Sequence, residues 1–466
     1  MPKPTRFADV RLDVQPGARR SPAGRTEETP FRILLMGDFS GRGHHENPLP
    51  VRWKPILVDR DNFDQVLAGM GVEIVLGADG RRGRIRLPVR DLDDFHPDQI
   101  YAKAECFRQF RDTRGKLKSA PPKPLPPGAR GVRAPDAASL ATGSLLDQIV
   151  AGAESGEAAA LRPKDELQEF IERAVAPHLE PAPDERTPAL VAEVDAQAAA
   201  LMRAILHHPH FQAVEAAWRG VFFLIRHLDT DRGLKLYLLD VSKPDLAKDL
   251  AAGAIEDSHV YHLLAEDAAH TIGAEPWAVV AGNYVFQRSD ADARLLARLA
   301  KIMQASGAAF LAEGDPSAEA TEEWADLRRS PAASWIGLAM PRFLLRLPYG
   351  KGGQAVESFA FEEMPGEPGH LDYLWGNPAF ACVRLLGEAF NEDGWDIHPG
   401  SVRELRGLPL HIYESGGERV AKPCAEVLMT EEEAEWVLEQ GFMPLASLKN
   451  QDAALLLRFQ SSAEPP

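Results

Sequence analysis

ILHHPHFQAVEAAWRGVFFLIRHL, residues 205–228, followed after a polar turn by LKLYLLDV, residues 234–241, decides how the chain is read. In the first run Phe211, Val214, Trp218, Val221, Ile225 and Leu228 recur every three or four residues, which puts them on one face of a helix. Pro209 suits a first helical turn, where its missing N–H has no partner to lose. Asp229–Gly233 is turn chemistry. In the second run Leu234, Leu236 and Leu238 alternate with Lys235 and Tyr237, and Leu239 and Val241 make the other face apolar as well. A strand apolar on both faces belongs inside a covered sheet. The spacing therefore predicts a long aromatic helix lying on a buried sheet, the unit of an α/β fold.

Outward from this stretch the alternation continues. Strands are expected at Trp277–Tyr284 and Ala309–Ala312. A short helix follows Ser242, longer ones are expected over Ile255–Gly273 and Asp290–Ser306, and another over Asn377–Phe390. Strands Val402–Leu405, Pro409–Tyr413, Met443–Leu448 and Ala454–Phe459 and a helix Glu431–Gln440 complete the body. This order implies a mostly covered mixed sheet. Upstream, Phe31–Met36, Val72–Leu76 and Arg84–Val89 read as strands. Helices are expected over Asp59–Met70 and from Asp94 to about Lys116. Five prolines between residues 121 and 127 forbid helix and sheet and mark a spacer. The expected organisation is a tail over 1–30, a small α/β domain over 31–118 and a Pro/Ala-rich linker with short helices over 119–188. A larger α/β body over 189–460 and a tail over 461–466 follow.

The chain has 466 residues, 45% of them hydrophobic and 26% charged, ordinary values for globular domains. Its formal charge of −17 repels phosphate backbones, so nucleic acid is not an expected partner. Three cysteines far apart form no disulfide framework and no zinc spacing. No apolar run reaches the roughly 20 residues of a membrane helix, and the N-terminus lacks a signal-peptide core. A cytoplasmic location without membrane insertion is expected.

Each polar motif has a structural and a chemical reading. The loop Gly37–Gly43 follows a strand but lacks the Gly-Lys-Ser/Thr ending of a phosphate cradle. Asp93 and Asp94 sit where carboxylates favour a helix start. His207, His208 and His210 resemble ligands, yet adjacent histidines face different ways on a helix, so capping or core roles are expected. Arg342 and Arg346 lie among Leu and Phe, which points to buried ion pairs. Asn283, Glu313 and Asp315 fall at the carboxyl ends of strands, where open α/β sheets place ligands. No nucleophile–base pair or metal set accompanies them, so no catalytic residue, cofactor or metal is assigned.

The runs HHPHFQAVEAAWRG and FLIRHL resemble the large (TssC/VipB-like) subunit of bacterial type VI secretion contractile sheaths. The likeness continues through PWAVVAGNYVF (276–286), WIGLAMPRFLLRLPYG (335–350), YLWGNPAFA (373–381) and GLPLHIYE (407–414). FRILLMGDFSGR (31–42), VDRDNFDQVL (58–67) and DLDDFHPDQIYAK (91–103) are similar to the small (TssB/VipA-like) subunit. The chain thus resembles a fusion of the two, without the large subunit's C-terminal, strand-receiving portion. The resemblance makes Phe211, Glu215, Trp218, Arg219, Gly220, Pro341 and Arg342 signature residues of the body. It implies that Leu145, Leu146, Asp147 and Ile149 form a helix like the one a ClpV-type unfoldase recognises; intramolecular packing of that helix is the alternative. The expected function is a structural, non-enzymatic component of a sheath or sheath-like assembly. Its expected partners are sheath subunits or a second copy of itself, with the unfoldase, inner tube and baseplate proteins as further candidates. An adaptor or cap that forms no tube is the second expectation.

Overall fold

The computed structural model describes residues 29–45, 50–77, 85–119, 186–230, 233–267 and 275–464. The chain divides into two compact units. Of the described residues, one gathers those within 1–72, 213–347 and 373–466; the other gathers those within 73–212 and 348–372.

The first unit is built on a nine-stranded mixed sheet. Its strands are β1 (Phe31–Gly37), β2 (Ile56–Val58), β5 (Leu234–Asp240), β6 (Trp277–Gln287), β7 (Ala309–Asp315), β8 (Ile336–Met340), β11 (Glu404–Arg406), β14 (Phe442–Ser447) and β15 (Ala453–Leu456). Their order is β11-β15-β14-β8-β7-β6-β1-β5-β2. β5, β1, β6, β7, β8 and β14 run parallel, while β2, β15 and β11 pair antiparallel at the flanks. β1 lies between β5 and β6, with Phe31 opposite Leu234 and Ile33 opposite Val279.

Both faces of the sheet are covered. Leu34 and Met36 point into a core that holds Leu246, Leu250, Leu296, Leu299, Met303 and Trp324. Alternation along β1 sends Phe31 to the other side, where its ring stacks 4.6 Å from Phe390. That face carries the helix Pro209–His227 and the helix Pro378–Asp393, the latter packed across β6 and β7. Phe211, Val214, Trp218, Val221, Ile225 and Leu228 are all at most 2% exposed. Trp218 alone buries about 200 Å², worth roughly 5 kcal/mol of transfer free energy at about 25 cal/mol/Å².

Local signals set the helix ends. Ser242, Ser289 and Thr430 each accept a backbone N–H three residues on, opening helices Lys243–Ala251, Asp290–Ser306 and Glu431–Glu439. Gly307, at φ 70°, closes the second of these in the left-handed region. The unit also holds a two-stranded ribbon, β12 (Ile412–Ser415) with β13 (Glu418–Ala421), and the pair β9 (Phe343–Leu344) with β10 (Trp375–Gly376).

The second unit pairs β3 (Val72–Leu76) with β4 (Ile85–Val89) and adds helices Pro97–Lys103, Arg108–Ser119 and Arg186–Leu206. The last two helices pack together, and Arg114 grips Asp195 through Nε at 2.7 Å and Nη2 at 3.3 Å.

Several expectations change. The compact units cut across the segment boundaries 31–118 and 189–460, because β1 and β2 complete a sheet whose other strands all come from residue 234 onward. The helix expected from Asp94 to Lys116 breaks at Ala104, which is extended at ψ 134°. Of the helix expected over Ile255–Gly273, the described part up to residue 267 is a 3-10 turn, an extended Ser258 whose hydroxyl caps a fresh turn, and a π-turn over His262–Glu266, while 268–273 lie outside the described residues. The tail expected over 461–466 is docked as far as the structure describes it. Gln460 Nε2 donates to Leu438 O and Phe442 O, Ser462 N donates to Ile336 O, and Glu464 N donates to Arg328 O. The tail over 1–28, the linker over 120–185 and the Leu145–Ile149 helix lie outside the described residues.

Candidate functional site

The signature residues of the body form packing and ion-pair centres. In the second unit Phe211 meets Phe95 edge to face, 5.8 Å between centroids. In the first, Trp218 sits between Phe39 and Phe63, and its indole N–H donates to Phe39 O at 2.8 Å. Glu215 is fully buried and takes two cations at once. Arg219, one turn on, donates through Nε at 2.7 Å; Arg346 donates through Nε at 2.8 Å and Nη2 at 3.3 Å. A buried carboxylate persists only with such partners. At Gly220 the helix backbone comes close to Phe380: a Cβ there would lie 2.6 Å from its ring. Pro341 follows Met340 through a cis peptide bond. Arg342 forms a two-pronged pair with Glu426, Nε to Oε2 at 2.8 Å and Nη2 to Oε1, and lies 3.9 Å from Glu313.

The glycine-rich loop after β1 is occupied from within. Asp240, at the end of β5, accepts the Phe39 and Ser40 amides at 2.9 and 3.0 Å and the Ser40 hydroxyl at 2.7 Å. Asp38 accepts the Gly43 amide. Carboxylates therefore hold the donors that a phosphate would need. Burial, reinforced by Asp240, keeps Asp38 above the ordinary carboxylate range despite the Gly43 bond.

The three polar residues expected at the carboxyl ends of strands have different surroundings. Asn283 abuts Gly37. Burial pushes Glu313 up to about 8, although Arg342 opposes the rise. Burial also acts to raise Asp315, but hydrogen bonds from Ser317 and Gln287 prevail and hold it below the usual range. Among the described residues no group of three or more His, Cys, Asp or Glu is placed to hold a metal. Burial raises the thiols of Cys106 and Cys382 to about 12 and that of Cys424 to about 11, so none supplies a thiolate near neutrality.

The histidines diverge. His207 lies between Glu363 at 3.6 Å and Asp372 at 3.3 Å; His208 Nδ1 accepts the His210 amide; His210 Nδ1 meets Val75 O at 3.1 Å. Asp94 closes a capping box with Asp91 and pairs with Lys103. The sequence had no means of showing the long-range partners Asp240, Glu426 and Glu363, although a polar Asp240 ending an apolar strand was a signal.

The body is a sheet completed by a distant strand, with ion pairs at its helix and strand ends, and comparison with known proteins gives its class. The family profile "EvpB/VC_A0108, tail sheath N-terminal domain" matches residues 188–320 and 317–463. The chain belongs to this tail-sheath family. The profile "Type VI secretion system, VipA, VC_A0107 or Hcp2" matches residues 8–121. Among individual proteins, the type VI secretion system sheath protein TssC1 of Pseudomonas aeruginosa is 33% identical over 305 residues, 59% of this chain. The aligned region spans 61% of that relative's length.

Proposed function

We propose that the protein is a structural component of a type VI secretion contractile sheath or sheath-like assembly. It acts by association with sheath subunits or with copies of itself, in the cytoplasm, and catalyses no reaction. One observation carries this reading: segments matching both sheath families build a single sheet, with β1 of the first between β5 and β6 of the second. No helix among the described residues is long and apolar enough to cross a membrane, in keeping with the proposed location. Inner-tube and baseplate proteins are proposed as further contacts, and Leu145, Leu146, Asp147 and Ile149 as the determinant for a ClpV-type unfoldase. The test is electron microscopy of the purified chain, alone and mixed with sheath subunits. Filaments, rings or incorporation into sheaths are expected. Co-purification at a few copies per assembly, without polymer, would replace this reading with that of an adaptor or cap. No association at all would reject both.

A further inference from the structure

Glu313 occupies an unusual position near the end of β7. Its side chain is 13% exposed, and its neighbours in register, Val285 on β6 and Ala339 on β8, carry no charge. The charges that face it are Arg342, Glu426 and Asp315. Arg342 is the only cation of the three, and it stands 3.9 Å away with its Nε and Nη2 both turned to Glu426. Asp315 is held by Ser317 and Gln287, with Arg288 nearby, and Lys422 faces Glu426. Among the described residues no side chain or amide donates a hydrogen bond to Glu313. Two carboxyl groups thus compete for one guanidinium, and only one is satisfied.

The satisfied one anchors a segment of the chain. Glu426 N donates to Arg342 O at 2.8 Å, Leu344 N donates to Cys424 O at 2.7 Å, and Ala425 bridges Phe343. The next two residues, Val427 and Leu428, are 47% and 51% exposed.

We propose that Glu313 is a proton-operated release for the Glu426–Leu428 segment. Neutral, Glu313 leaves Arg342 to Glu426 and the segment stays clasped to β9. Ionised, it draws the guanidinium toward itself, weakens the grip on Glu426 and loosens Glu426–Leu428, while Cys424 stays held through its amide to Ser447 Oγ at 3.0 Å. Burial and the two facing carboxylates set the changeover near neutrality, with Glu313 raised to about 8.

Hydrogen exchange of the peptide spanning residues 424–429, corrected for intrinsic rates, tests this between pH 6 and pH 9.5. Protection in the parent protein should fall about fivefold across that range, the factor that weakening one part-exposed ion pair gives. Glu313→Gln should hold the low-pH protection throughout. Glu426→Gln should exchange fast at both ends, and near-ultraviolet circular dichroism checks that both variants are folded. A flat profile in the parent, parental pH dependence in Glu313→Gln, or slow exchange in Glu426→Gln would each overturn the proposal.

Discussion

Replacing Arg346 by Met isolates what the buried carboxylate of Glu215 requires. The substitution removes the Nε and Nη2 bonds at 2.8 and 3.3 Å from a fully buried carboxylate and leaves the Arg219 pair in place. Breaking one side of a buried pair costs about 3–5 kcal/mol, because the other charge is left without compensation. With Arg219 still bound, about 3 kcal/mol is expected for Arg346→Met. Glu215→Leu strands two arginines, of which Arg346 is 8% exposed and Arg219 15%, so a cost of about 4 kcal/mol is expected. In the double variant Arg219 extends its head toward solvent and the Leu and Met fill the vacated volume. Its loss should therefore be about 2 kcal/mol, well below the sum of the single changes. Guanidinium titration followed by the near-ultraviolet signal of buried Trp218, Trp277 and Trp324 reads the unit that contains all three. A double variant whose loss equals the sum within about 0.5 kcal/mol would show that the two groups are energetically independent, contrary to the geometry.

Gly220→Ala should destabilise by about 1–2 kcal/mol: the helix gains about 1 kcal/mol in propensity, but overpacking against Phe380 costs more. A stabilised variant in thermal melts would refute the close approach. A protease site placed between residues 120 and 185 should allow cleavage without separation on a sizing column, because β1 remains held between β5 and β6 and Arg114 remains paired with Asp195. Separation of the pieces under native conditions would contradict the strand order. Glu313 also predicts the sign of a pH effect. Its carboxyl is raised to about 8 from an ordinary 4.5, so the native state holds a proton that the unfolded chain has lost. Its contribution to stability should fall as pH rises from about 4.5 to 8, and Glu313→Gln should remove that slope from denaturant titrations across the window.

The Phe211–Leu228 ridge and the doubly apolar Leu234–Val241 strand were legible because burial on one helical face, or on both sides of a sheet, leaves a fixed period in the sequence. The position of β1 was not, since the apolar run Phe31–Met36 fits any central slot and its partners lie some two hundred residues away. Residues 461–464 read as part of a tail because Ser and Glu look solvated. Gln460, Ser461 and Ser462 are buried, and the segment is held through hydrogen bonds to Leu438, Phe442, Ile336 and Arg328 that no composition reveals. Arg342 and Arg346 were legible as members of ion pairs, although only that of Arg346 is buried, whereas Glu426, 84 residues from Arg342, was not legible.

The central placement of β1 imposes an order of events on synthesis. Phe31–Gly37 leaves the ribosome early, yet both flanking strands, ending at Asp240 and Gln287, must emerge before it acquires its full set of neighbours. At about 5–20 residues per second that delay is on the order of 10–50 s. Throughout it, a nascent stretch of consecutive apolar residues stays without its final cover, a natural client for holding chaperones. The high contact order of this pairing makes closure of the sheet's middle a late and slow step.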